Sequence, residues 1–402
     1  MKTTSMKPQA RILLWILAIV IAVIAVFLLI PSNYYVHRAL MHQLPQIDHY
    51  QIFENRNVDA NNPQPWNIAA NYNQKDIPHQ YQSYFEEMQT VAFLVIQDGS
   101  IVFEKYWEDY DTKSYVNSFS MAKTLLGMLV GCAISDGYIQ SVEQPVSDFL
   151  PEWTSFDGEV ITIKHLLNMS AGIKWDEAHS SLFSMTTDAY YGKDLWHLAL
   201  TMVPEEKPGV RFKYQSGVSQ LIAFLLQKAV GKSVSEYAAV KLWSPLGAEQ
   251  PALWSLDRKN GMEKGFCCFN ATARDFARLG QLLLNQGNWK GNQLLDSAYV
   301  KEMLTPASWL TYIPKPTPDG QTYQPRPCFF YGYQIWMVRH EDMVIPYLRG
   351  ILGQYVVVLP ELNAVVVRLG RKRDKTYNID QNYTIDLDTW LDAGLDILRK
   401  EK

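Results

Sequence analysis

Apolar positions fall along this chain in three regimes: one long unbroken run near the N-terminus, short β-rich runs at both ends of the remaining domain, and helical spacing between those ends. The unbroken run covers residues 12–30, nineteen apolar residues in succession. At about 1.5 Å of rise per residue, a helix of that length nearly matches a hydrocarbon core of roughly 30 Å, so the pattern predicts a transmembrane helix. Lys2, Lys7 and Arg11 precede it with no acid among them, and only Arg38 follows closely. That asymmetry places the N-terminus in the cytoplasm and the rest of the chain beyond the inner (cell) membrane, in the periplasm or outside the cell. A cleaved export signal is the alternative. Such signals carry a shorter apolar core followed by small residues, whereas Phe27-Leu28-Leu29-Ile30-Pro31 offers no cleavage site.

Residues 92–96 and 101–107 are β-rich and flank Asp98-Gly99, a strong two-residue hairpin signal. A second hairpin is predicted from 355–359 and 364–369, with its turn around Pro360 to Asn363. Between them, 118–305 is mostly helical in period, including 216–230 closed by Gly231 and 272–286 closed by Gly287. Strands at both ends and helices between them predict an α+β fold, an antiparallel sheet completed by both ends of the domain with a large helical insert. Residues 31–90 are polar and dotted with Pro and Asn, as in Asn61-Asn62-Pro63-Gln64-Pro65, which reads as a stalk and lead-in. The expected division is therefore a cytoplasmic tail (1–11), an anchor (12–30), a stalk and lead-in (31–88) and one exported domain (89–402).

Composition narrows the function classes. With 37 Lys plus Arg against 41 Asp plus Glu, the chain lacks the cationic excess that phosphate-backbone binding requires, so nucleic acid is not an expected partner. Hydrophobic residues at 48% and charged residues at 19% describe a packed globular protein. Four cysteines supply neither a disulfide framework nor a zinc spacing, although Cys267 and Cys268 could each reach Cys328. No H-E-x-x-H or G-x-S-x-G motif is present, and His340-Glu341-Asp342 reads as an exposed loop without metal spacing, so no metal or organic cofactor is expected. His165 reads as a core or capping histidine, Arg274 and Asp275 as structural ion-pair partners, and Cys267 as no nucleophile. Trp175, Tyr190, Tyr191 and Trp309 are candidate pocket walls, each equally explained by core packing.

One tetrapeptide carries chemistry. Ser120-Met121-Ala122-Lys123 opens a helix whose next residues are almost all apolar, and residues three apart share a helical face, so the serine hydroxyl and the lysine amine can touch. Burial disfavours the ammonium and makes Lys123 a candidate base for Ser120. The helix start also offers unpaired backbone N–H groups to an oxyanion. A capping serine with a snorkelling lysine fits the bare motif too.

Further landmarks add to that reading. In order they are Ser118-Phe119-Ser120-Met121-Ala122-Lys123-Thr124, Ile161-Thr162-Ile163-Lys164-His165-Leu166-Leu167-Asn168-Met169-Ser170-Ala171-Gly172, and Pro208-Gly209-Val210-Arg211-Phe212-Lys213-Tyr214-Gln215-Ser216. Leu242-Trp243-Ser244-Pro245-Leu246-Gly247, Asn270-Ala271-Thr272-Ala273-Arg274-Asp275 and Arg349-Gly350-Ile351-Leu352-Gly353-Gln354 come after them. With these, the chain resembles the serine β-lactamase and penicillin-binding-protein superfamily, in particular its class C-like esterases and 6-aminohexanoate-dimer (nylon-oligomer) hydrolases. The resemblance implies a β-lactamase-like fold with Ser120 as acylated nucleophile, Lys123 as proton acceptor and Tyr214 as phenolic partner. It also implies the Ile351 N–H as second oxyanion donor beside that of Ser120, and Ser216, Arg349 and Gly350 at the substrate. A phenol beside an ammonium should have a lowered pKa.

Two departures shape the expected substrate. Ser216 stands where the usual Tyr-x-Asn motif ends, and Leu348-Arg349-Gly350 stands where a Lys-Thr-Gly or His-Thr-Gly would hold a β-lactam carboxylate. Arg349 could bind a carboxylate or point to solvent. The expectation is a serine hydrolase for a short, small-molecule ester or amide, with β-lactam turnover slow or absent. The alternatives are a non-catalytic penicillin-binding-like sensor and a D-Ala peptidase.

Overall fold

The computed structural model of the protein describes residues 8–179, 181–314, 320, 322–340 and 343–399. Lys2 and Lys7 of the basic flank, and Glu341 and Asp342 of the loop trio, lie outside them. The apolar run forms α1 (Pro8–Leu29), which buries no side chain against the rest of the protein. Among the described residues it is the one helix long and apolar enough to be a candidate membrane span. A short 3-10 turn, Pro31–Asn33, joins it to α2 (Tyr34–His42).

The strands that build the body are β1 (Asn55–Val58), β2 (Asn67–Ile68), β3 (Thr90–Gln97), β4 (Ser100–Tyr106), β5 (Val116–Asn117) and β6 (Ala252–Ser255). They continue with β7 (Phe269–Ala271), β8 (Trp336–His340), β9 (Met343–Gly350), β10 (Gln354–Leu359) and β11 (Ala364–Gly370). The helices that frame them are α3 (His79–Glu87), α4 (Met121–Ser135), α5 (Met185–Tyr191), α6 (Ser216–Val230), α7 (Ala273–Leu284) and α8 (Asp386–Leu398).

Seven strands pair in the order β8-β9-β10-β11-β3-β4-β2, antiparallel except for β2, which runs parallel to β4 at the edge. The expected fold is thus present, with N- and C-terminal strands joined where β3 pairs with β11. The Asp98-Gly99 turn forms as the hairpin signal requires, both residues at positive φ, +50° and +71°. Strand β11 is buried along its whole length because both sheet faces are covered. A side chain at Gly280 of α7 would strike Val365, and one at Gly394 of α8 would strike Val366. Successive strand residues face opposite ways, so these two helices lie on opposite faces of the sheet.

The stretch expected as a stalk, 31–88, instead folds onto this body. Strand β1 pairs with β6, β2 extends the main sheet, α3 lies on β3, and Ile47, Val58 and Phe85 are fully buried. Polar strands such as Asn-Arg-Asn-Val show no alternation to read, and tertiary partners decide them: Arg56 donates to the buried Glu263 at 2.5 Å. A second sheet, β1-β6-β7-β5, ends in two-residue β5, which runs directly into the Ser118-Phe119-Ser120 turn.

Candidate active site

The approach to Ser120 is set by backbone geometry. Ser118 N–H bonds to the Phe269 carbonyl at 2.9 Å, anchoring the turn to β7. Phe119 then adopts a left-handed conformation, φ +44°, held by its N–H on the Asn117 side-chain oxygen at 2.8 Å. A non-glycine residue there costs of order 1–3 kcal/mol. The surrounding burial of Phe119 sustains that strain and turns Ser120 out at the head of α4.

One turn on, Lys123 is 1% exposed. Its Nζ lies 3.0 Å from Ser120 Oγ, 3.2 Å from Ser216 Oγ and 2.7 Å from the Phe266 carbonyl. Burial pushes its pKa from 10.5 down to about 7, with Glu177 pulling the other way. The amine is therefore available as a base near neutrality, and the snorkelling alternative does not hold.

Ser216, at the start of α6, is fixed by a residue the sequence pattern did not reveal. Glu177 accepts from the Ser216 N–H at 2.6 Å and its hydroxyl at 2.7 Å, and the Trp175 indole N–H donates to the same carboxylate at 2.7 Å. Glu177 sits in a loop without periodicity, more than 35 positions from Ser216, so no local pattern could have marked it.

Tyr214 lies beside the pair, its ring centroid 5.1 Å from Lys123 Nζ and packed on Trp336 and Tyr331. Its pKa does not fall as the sequence suggested. Burial and then Glu177 push it up, and hydrogen bonding to Ser120 only partly offsets them. The expectation counted Lys123 as an ammonium, but a depressed lysine supplies little positive charge. Tyr214 is a protonated phenol across the neutral range.

Gly350 closes β9 against the nucleophile turn. A Cβ there would lie 2.2 Å from the Ser118 carbonyl oxygen, so only glycine lets the strand end approach. The following loop is clamped by buried Arg368, which donates to the carbonyls of Leu352 at 3.1 Å and Gly353 at 2.7 Å. Among the described residues, neither the Ser120 N–H nor the Ile351 N–H has a protein acceptor.

Arg349 does not point to solvent. Its guanidinium stacks 3.6 Å from the Trp336 ring centroid and donates to the Asn382 carbonyl at 2.7 Å. Cys267 and Cys268 are bonded to each other, and Cys328 is a buried free thiol, so neither of the two bridges to Cys328 that the sequence left open is made. The vicinal pair follows Phe266, whose carbonyl holds Lys123, and Cys267 has no thiol to act as a nucleophile.

Ser120, Ser216 and Ile351 open on one cavity of about 280 Å³. Tyr190 and Tyr191 wall it; Trp175 instead holds Glu177, and Trp309 is exposed beneath Lys164. His165 caps its own helix, accepting the Thr162 N–H at 3.1 Å. Arg274 pairs with Glu104, and Asp275 with Arg278. Among the described residues, no group of three or more His, Cys, Asp or Glu is placed to hold a metal ion.

Comparison with known proteins identifies the family and the fold. Residues 81–388 match the family described as Beta-lactamase. A 6-aminohexanoate-dimer hydrolase of Paenarthrobacter ureafaciens is 26% identical over 326 residues, spanning 77% of this chain and 80% of its own. A solved Bacillus anthracis protein, provisionally named as a 6-aminohexanoate-dimer hydrolase, superposes with a TM-score of 0.71 at 19% identity, over 88% of this chain and 92% of that one. A family VIII carboxylesterase gives 0.61 at 15% identity, over 83% and 99%. The two structural likenesses concern the fold alone.

Proposed function

The chain belongs to the Beta-lactamase family, and we propose that it is a membrane-anchored serine hydrolase that cleaves carboxylic esters or amides through a Ser120 acyl-enzyme. The observation that carries this reading is the buried amine of Lys123, 3.0 Å from Ser120 Oγ with a pKa pushed down to about 7. In acylation Lys123 takes the Ser120 proton as Oγ attacks the carbonyl carbon. The Ser120 and Ile351 N–H groups receive the oxyanion. Tyr214, a neutral phenol, gives its proton to the leaving alcohol or amine. In deacylation water attacks the acyl carbon and returns a proton to Tyr214, while Lys123 returns its own to the departing Ser120 oxygen. Every proton is then back where it began.

Ester or amide bonds are the reading favoured by the names of the relatives, a 6-aminohexanoate-dimer hydrolase and a carboxylesterase. β-Lactam turnover is disfavoured, because buried Leu348 stands in place of the usual tripeptide lysine and the guanidinium of Arg349 beside it is engaged by Trp336 and Asn382. A sensor would have no need of the Ser120, Lys123 and Tyr214 constellation. In topology, α1 anchors the chain by a single pass with its N-terminus in the cytoplasm, and the catalytic body faces the periplasm or exterior.

The test is rapid mixing of the protein with p-nitrophenyl butyrate. A burst of one p-nitrophenol per chain, absent in Ser120→Ala, is expected, with kcat/KM rising to a plateau through about pH 7. Turnover that survives Ser120→Ala would overturn the proposal.

A further inference from the structure

We infer that the substrate enters from the bilayer, and that the cavity beside Ser120 takes the hydrocarbon chain of an amphiphilic ester or amide rather than a compact soluble one. The inference rests on the hydrolase reading above and names its substrate class.

The cavity is walled on one side by the segment that follows the anchor: Ala39 and Leu40 of α2, then Leu44 and Pro45. Leu182, Tyr190 and Tyr191 face it. The Tyr191 hydroxyl donates to the Gln43 carbonyl at 2.7 Å, and Tyr190 pairs with His49 at 3.3 Å. Thr186 and Thr187 spend their hydroxyls on the carbonyls of Asp176 and Ser181, at 2.9 and 2.7 Å. What these side chains offer the cavity is ring and methyl surface, a lining suited to a chain.

Position supplies the second argument. Only Ile30 and the turn Pro31–Asn33 separate α1 from α2, and nine-residue α2 is about 13 Å long, so the cavity lies within one short helix of the anchor's outer end. Phe27, in the last turn of α1, packs edge-on against Phe183 with centroids 6.4 Å apart, tying the loop beside the cavity to the span itself. Leu40, Met41, Leu44 and Phe183 are each more than half exposed, on the side where the anchor meets its membrane. An apolar rim in that position is covered by lipid and passes lipid-borne chains to Ser120.

The experiment uses the full chain in lipid vesicles with a 4-methylumbelliferyl ester series, C4 to C12, dispersed in the same bilayer. Wild type is compared with Leu40→Asp and, as a second exposed position, Phe183→Asp. Wild type and variants meet the same bilayer, so their rate ratio is independent of substrate partitioning. The expected result is activity rising from C4 to C12, since only the longer chains are held in the bilayer from which the cavity is entered. The C12-to-C4 ratio should fall at least about tenfold in Leu40→Asp, with Phe183→Asp in the same direction. Hydrolysis with no dependence on chain length, or a ratio unchanged in both variants, would overturn this inference and leave the hydrolase intact. No hydrolysis at any length would instead remove the hydrolase reading, and this inference with it.

Discussion

Burying an amine with a pKa near 7 costs stability, and Lys123→Met should recover part of it. The pKa moves from 10.5 in the unfolded chain to about 7 in the fold. Between those values the unfolded state binds the extra proton, so native stability rises with pH across that window and the full cost is felt below pH 7. Integrating the shift gives a cost of about 4 kcal/mol at pH 7 and about 2 kcal/mol at pH 9. Methionine of similar length removes it but leaves the Phe266 carbonyl without its 2.7 Å donor, a loss of roughly 1–3 kcal/mol. The net expectation is that Lys123→Met is more stable than wild type by about 2 kcal/mol at pH 7, with the advantage vanishing by pH 9. Urea unfolding of the detergent-solubilised chain, followed by tryptophan fluorescence at both pH values, reads this directly. Lys264, also buried with a pKa near 7, is common to both proteins and cancels in the difference. A variant less stable than wild type at pH 7, or an advantage that does not change with pH, would refute the reasoning.

Other perturbations separate the parts of the site. Glu177→Gln sets an amide against the Ser216 donors and removes a charge that raises the Lys123 pKa; kcat/KM should fall about tenfold, with the pH–rate inflection moving below that of wild type. An unmoved inflection would show that Glu177 does not act on Lys123. Gly350→Ala drives a Cβ into the Ser118 carbonyl and should cost about 1–3 kcal/mol of stability and most of the ester activity; wild-type stability would show that the strand end has room. Alkylation in denaturant without reductant should modify Cys132 and Cys328 only, with Cys267 and Cys268 reacting after reduction. A bridged peptide containing Cys328 would contradict the pairing.

The features legible in sequence were local ones. Asp98-Gly99 announces a hairpin because two adjacent left-handed residues suit that turn, and Ser120 and Lys123 announce a pair because a helix puts positions three apart on one face. That strands from the two ends of the domain share one sheet was legible too, but the order in which they lie, with β8 and β2 at its edges, was not. Long-range choices were not legible. Glu177 has no neighbour in sequence that marks it, and its role appears only when its loop meets the start of α6. Strand β1 is polar and buries one residue of its four, so its pairing with β6 carries no periodic signature. The cysteine pairing went to the adjacent residue, and Cys328 was left buried elsewhere. The titration of Tyr214 escapes sequence because it depends on the depth at which Trp336 and Tyr331 enclose the ring, a property of packing.

The central claim is that Ser120 is an activated nucleophile. Incubating the full chain with a fluorophosphonate probe and mapping the label by peptide mass spectrometry tests it most directly. The account predicts one labelled peptide carrying Ser120, with labelling abolished in Ser120→Ala and in Lys123→Ala. A folded protein that takes no label, or one labelled at Ser120 equally well without Lys123, would contradict it.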